Sequence, residues 1–181
     1  MTAVIAACMT LAASAQDKKN DISLSVGTMP IPYIIDNCMT FNASYMHTRN
    51  DYVSLGGTVG YSHGDMTNHD DFDKKVTGDC ISAMASVRAY WFRNPGCRLY
   101  SGASLGVQMQ FRRNNIFPYD ANPYSSKPAI PMSKIEHETK VVPAVQLSPI
   151  GIELGGETVK AFAELGLGAQ GLAQAGVRVR F

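Results

Sequence analysis

The sequence predicts an all-β chain, an eight-stranded antiparallel up-and-down transmembrane β-barrel. Three observations predict it. Apolar and polar residues alternate with period two in segment after segment, which is the pleat of a strand and not the turn of a helix. The apolar face of each segment carries almost no charge, while the other face holds small polar residues and a few long charged ones. Every second connection is short and three of the other four are long, the asymmetry of a barrel that crosses a membrane.

The strands follow in order. "DISLSVG" sets Ile22, Leu24 and Val26 against serines, and "TFNASYMH" sets Phe41, Ala43 and Tyr45 against Asn42 and Ser44. "YVSLGGTVGYS" opposes Val53, Leu55, Val59 and Tyr61 to Ser54, Gly56, Thr58, Gly60 and Ser62. In "CISAMASVRAYWF" the alternation runs from Ile81 to Trp91 on one face and from Ser82 to Tyr90 on the other. "LYSGASLGVQMQFR" continues it, with Ala103, Leu105, Val107, Met109 and Phe111 facing away from Ser104, Gly106, Gln108, Gln110 and Arg112. "KVVPAVQLSPIGIELGG" is the least regular, and its phase switches near Pro149, as a bulge would require. "VKAFAELGLG" and "GLAQAGVRVRF" complete the set.

Tight turns are expected at Asn50-Asp51, at "RNPG" and at "GGET", with "AQ" as a brief last connection. The long connections are "MPIPYIIDN", "HGDMTNHDDFDKKVTGD" and a stretch of about 25 residues around "PYDANPYSSKPAIPM". An even strand count returns both ends to one side of the membrane. A soluble lipocalin-like carrier also needs eight strands, but it would bury its apolar face and show charge to water.

An eight-stranded barrel is just wide enough for its own side chains. Glycines and serines interleaved with Arg88, Arg112, Glu153, Lys160, Glu164, Arg178 and Arg180 would fill it, as a lumen charge network. Buried cations need partners. Glu164 is therefore expected to pair with Arg178 or Arg180, and Glu153 with Lys160 or Arg88. Trp91, Phe92 and Tyr52 fall near the short-turn ends, where an aromatic belt anchors a barrel.

The first residues, "MTAVIAACMTLAASAQ", read as a secretory signal. The apolar run from Ala3 to Ala13 is too short to span a bilayer as a helix, and Ala13-Ser14-Ala15 is a small-x-small cleavage pattern. The expected division is a cleaved signal peptide at 1–15 and a barrel at 16–181. Three cysteines would remain, Cys38, Cys80 and Cys97, an odd number that argues against a fully paired disulfide framework; a Cys38–Cys80 bond is conceivable, and free thiols are the expectation. Net charge is +1 with 17% charged residues, so nothing points to nucleic acid.

The terminal "GVRVRF" resembles the C-terminal signature of bacterial outer-membrane barrels. The tail from "QLSPIGIELGG" to Phe181 is similar to that of the small outer-membrane barrels of Bacteroidetes. The resemblance implies residence in the outer membrane, contact with its lipid, and Phe181 as the residue read by the barrel-assembly machinery. It implies no cofactor and no catalytic residue.

Chemistry is sparse. "SHGDMTNHDDFD" brings together His63, Asp65, His69, Asp70, Asp71 and Asp73, but the order fits no EF-hand, and a solvated acidic loop is the expectation. His47 and His137 read as rim or packing residues. The longest connection carries Phe117, Tyr119 and Tyr124 among prolines, a candidate recognition loop for a surface ligand. The expected role is structural or surface-interacting, without enzymatic activity. A narrow porin-like channel, a lipid-modifying enzyme and a lipocalin-like carrier are the alternatives.

Overall fold

The computed structural model describes residues 19–28, 37–67, 75–116 and 134–181. Residues 1–15, expected to be a signal peptide, together with Phe117, Tyr119, Tyr124 and the acidic stretch from His69 to Asp73, lie outside them. The described strands are β1 (Asn20–Thr28), β2 (Asn37–Asn50), β3 (Val53–Thr67), β4 (Lys75–Asn94), β5 (Cys97–Ile116), β6 (Lys134–Gly155), β7 (Val159–Gly168) and β8 (Ala173–Arg180). Each pairs antiparallel with its sequence neighbours, and β1 pairs with β8 to close a barrel. The seam ends in two reciprocal backbone hydrogen bonds of 2.9 Å between Asn20 and Phe181.

The strands form where alternation and β-branched or aromatic content favour a pleated surface. Burial follows the same alternation with the polarity of a soluble protein inverted. Asp21, Ser23 and Ser25 are buried on β1, while Leu24 and Val26 are exposed. On β4 the buried residues are Ser82, Met84, Ser86, Arg88 and Tyr90, and Ile81, Val87 and Trp91 face out. The outward belt of Leu, Val, Ile, Ala and aromatic side chains needs an apolar solvent, because water would charge about 25 cal/mol for every Å² of it. A lipid bilayer supplies that solvent, and a closed barrel leaves no unpaired strand edge inside it. A lipocalin-like carrier has the opposite polarity and is ruled out by these faces.

Three irregularities interrupt the register, one of them between Thr48 and Asn50 beside the β2–β3 turn. On β6 the buried series runs Ala144, Gln146, Ser148 and then Gly151, Glu153, so the parity changes across Pro149 and Ile150. The pairing slips there against both β5 and β7. Proline cannot donate to a ladder, which makes this the place where a bulge costs least. On β4 the slip falls between Tyr90 and Phe92, and it leaves Trp91 and Phe92 both exposed.

The barrel is lopsided. β4, β5 and β6 have 20, 20 and 22 residues, whereas β7 and β8 have 10 and 8. A 20-residue strand tilted by about 45° rises roughly 45 Å, well beyond an apolar band of about 25 Å. The tall side therefore stands clear of the lipid at the end of the long connections. The segment containing His63 and Asp65 belongs to β3, paired with β4, and is not loop.

Candidate functional site

The interior is the part of the molecule that sequence alone could describe only as a face. It has two layers. Toward the short turns lies a charge cluster built from β1, β4, β5, β6, β7 and β8. Toward the long connections lies a mesh of hydroxyls and amides.

Arg178 is the centre of the first layer, 1% exposed. Its guanidinium forms an ion pair with Glu153, approaches Asp21 at 3.5 Å, and donates to the Tyr90 hydroxyl at 3.3 Å. Its planar face stacks over the rings of Phe162 at 4.7 Å and Tyr100 at 5.3 Å, a cation–π arrangement that supports a charge in a dry site. Arg88 reaches Asp21 at 3.5 Å and also lies over Tyr100, at 5.7 Å. Tyr90 donates to Glu153 at 2.9 Å, and Tyr100 donates to Glu164 at 2.8 Å.

The partners differ from those read off the sequence. Glu164 does not pair with Arg178 or Arg180. The register sets Glu164 opposite Gln174, and Lys160 opposite Arg178, so the Glu164 carboxylate meets the Tyr100 hydroxyl across the lumen instead. Glu153 takes Arg178, not Lys160 or Arg88. Lys160 donates to the Pro95 carbonyl at 3.3 Å. Arg180 is buried at the mouth of the barrel. The Arg112 backbone pairs with Gly78 and Glu138 near the other end of β5, and its side chain lies outside the described ones.

Asp21 was missed. It is 0% exposed and is the carboxylate shared by Arg88 and Arg178. The signal was present: Asp21 has the parity of Ser23 and Ser25, one step further along the same face. Tyr100 was also missed, although it has the parity of Ser104 and Gly106 on the same strand face. Its ring lies flat on Gly151, where an added Cβ would come within 2.3 Å of it.

The second layer is organised by the β7–β8 connection. These two strands are short, so their turn closes at depth and turns inward. Gly171 adopts φ +110°, a conformation open to glycine at little cost. The turn lays Gln170 across the lumen. The Gln170 carbonyl accepts from Thr40 Oγ1 at 2.7 Å and from Asn42 Nδ2 at 3.4 Å. Its backbone N–H donates to Gln146 Oε1 at 2.9 Å, and Gln146 Nε2 donates to the Gly171 carbonyl at 3.1 Å. Gln170 Nε2 reaches Ser104, and its Oε1 accepts from Gln174. Thr58, Ser86 and Ser104 continue the chain of hydroxyls at 2.9 and 2.8 Å. Most of these polar groups thereby recover hydrogen bonds given up on leaving water, with Asn42 Oδ1 left without a partner.

The remaining residues of interest sit on the rims. His63 and Tyr61 both contact the Asp79 carboxylate, at 2.8 and 2.7 Å, on the outward face toward the tall end. His47 contacts Asn20 at 2.8 Å at the short-turn rim, where Tyr45, Tyr52, Trp91 and Phe92 also face out. No disulfide joins Cys38, Cys80 or Cys97. Among the described residues no group of three His, Cys, Asp or Glu side chains could hold a metal ion.

No family model and no curated protein matches the sequence. Solved structures do match in shape. The attachment invasion locus protein Ail of Yersinia pestis superposes with a TM-score of 0.51 at 12% identity, over 91% of this chain and 96% of that one. The same protein in complex with the heparin analogue sucrose octasulfate gives 0.50 at 13% identity, over 90% and 95%. The N-terminal β-barrel domain of Pseudomonas aeruginosa OprF gives 0.49 at 18% identity, over 91% and 98%. The fold is that of the eight-stranded outer-membrane barrels.

Proposed function

We propose that the protein is an integral protein of the bacterial outer membrane whose barrel is a filled scaffold, and whose role is structural or surface-interacting. The short turns then face the periplasm, and the tall side of β4–β6 carries the long connections outside the cell. The observation that carries the reading is the double closure of the lumen, by Arg178 and its carboxylates at one level and by Gln170 at the other. A conducting path would have to break both. Function is thereby moved from the lumen to the loops, where Phe117, Tyr119 and Tyr124 lie. Ail, with the same fold, is an attachment protein solved with a heparin analogue, which supports a surface ligand as the object of such loops.

The tail supports membership of the small Bacteroidetes-type barrels and a role for Phe181 in recognition by the assembly machinery. The reading is non-enzymatic with no cofactor. Planar-bilayer recording on the purified, folded protein tests the central point. The filled scaffold predicts no stepwise conductance at moderate voltage. Steady open channels of uniform size would replace the scaffold with a porin-like pore.

A further inference from the structure

At the short-turn mouth the charges do not balance. The interior carboxylates are taken up deeper in the barrel: Asp21 by Arg88 and Arg178, Glu153 by Arg178, and Glu164 by the Tyr100 hydroxyl. Arg98, Arg180 and Lys160 remain at the mouth, and none of them makes an ion pair among the described residues. Arg98 is repelled by Arg180, Arg93 and Arg178, and Lys160 by Arg98 and Arg180.

Arg98 and Arg180 line a concavity of about 500 Å³ together with Arg93, Asn94, Pro95 and Glu157. Arg93 spends part of its charge on the exposed Asp51, at 3.2 Å. Glu157 is the one carboxylate in the lining. Arg180 is only 9% exposed, yet its Nε and Nη2 have no hydrogen-bond partner, and neither has Nε of Arg98. Donors of a buried guanidinium left in this state cost free energy unless an acceptor of opposite charge fills the space.

The walls of the concavity are fixed. Gly155 donates to the Gly96 carbonyl at 3.1 Å, Arg180 to the Thr158 carbonyl at 2.7 Å, and Lys160 to the Pro95 carbonyl at 3.3 Å. The β4–β5 and β6–β7 turns are thus tied to each other and to β8, and the arginines project from a braced frame. The level is also defined, since Trp91 and Phe92 immediately precede Arg93 on β4 and mark the membrane interface.

We propose that the short-turn mouth of the barrel is a binding site for a phosphoryl anion, held by Arg98 and Arg180 with Arg93 at its edge. Two guanidinium forks converging on one space match the oxygens of a phosphate group better than a single-point cation would. The same chemistry is offered by a phospholipid headgroup of the adjacent leaflet and by free phosphate.

Calorimetric titration of the full chain, folded in uncharged maltoside micelles, tests this. The probes are inorganic phosphate, short-chain phosphatidylglycerol and, as a control, short-chain phosphatidylcholine, all at constant ionic strength. Saturable one-to-one binding is expected, weakened about tenfold by Arg98→Gln, the loss of one charge-assisted hydrogen bond. Glu157→Gln removes the opposing charge at an exposed position and is expected to tighten binding several-fold. Saturation by inorganic phosphate identifies a free-phosphate site, and saturation by phosphatidylglycerol alone identifies a headgroup site. The proposal is overturned if neither binds, if sodium acetate at equal concentration competes as well as phosphate, or if binding is indifferent to both substitutions. Should Arg98→Gln fail to fold, the Glu157→Gln titration decides.

Discussion

Replacing Arg178 with methionine removes the centre of the lumen cluster while keeping much of its volume. Glu153 would lose its ion pair and keep only the Tyr90 hydroxyl, and Asp21 would be left with Arg88 alone at 3.5 Å. Both carboxylates are 0% exposed. Removing one partner of a buried pair costs about 3–5 kcal/mol, because the other charge stays behind without water. Screening offers no relief at such burial. With a urea dependence of about 2 kcal/mol per molar, the midpoint should fall by roughly 1.5–2.5 M. The assay is urea unfolding in lipid vesicles, followed by the emission of Trp91, the single tryptophan of the chain. The double variant Arg178→Met/Glu153→Leu should recover about half of the loss, since the stranded charge goes with its partner. A midpoint change below about 0.5 M for the single variant would refute the reasoning, and the cluster would have to be counted as solvated.

Other outcomes follow from the same geometry. Val145→Arg, in the outward band, should cost about 2–4 kcal/mol of folding free energy in vesicles, and Thr139→Arg near the tall rim less than about 1 kcal/mol; equal costs would contradict the assigned depth. Gly151→Ala should drive the Tyr100 ring off β6 and cost about 1–3 kcal/mol by overpacking, read as a lower unfolding midpoint. Cys38 and Cys80 are separated by β3, two strand spacings or about 9.6 Å, beyond the reach of about 7 Å that a disulfide allows. Reducing agent should therefore leave the unheated gel mobility unchanged, and a shift would show a bond between them. Deleting Phe181 should slow assembly in cells while leaving refolding in vesicles nearly intact, and equal impairment of both would assign the residue to stability.

The barrel could be read from the sequence because a membrane strand states its environment twice. Leu24 and Val26 declare lipid on one side, and Ser23 and Ser25 declare a crowded interior on the other. Even the β6 slip was visible, since the polar parity of Gln146 and Ser148 passes to that of Glu153 across Pro149. The pairing inside the lumen was not legible. Alternation says which face a charge occupies but not its height, and height depends on register and strand tilt around the whole barrel. Glu164 and Arg178 share a face on adjacent strands, yet the β7–β8 register places Glu164 beside Gln174. The role of Gln170 was hidden for a related reason. A two-letter connection gives no sign that it closes below the rim and folds into the lumen, which only the shortness of β7 and β8 against β4–β6 makes evident.

The central claim is a closed barrel with its apolar face in the membrane. It is tested most directly by gel mobility with and without heating, on outer-membrane and soluble fractions of the producing cell. The account predicts that the protein is confined to the outer-membrane fraction and that the unheated form migrates apart from the boiled one. A protein found in the soluble fraction, with one mobility at both temperatures, would contradict it.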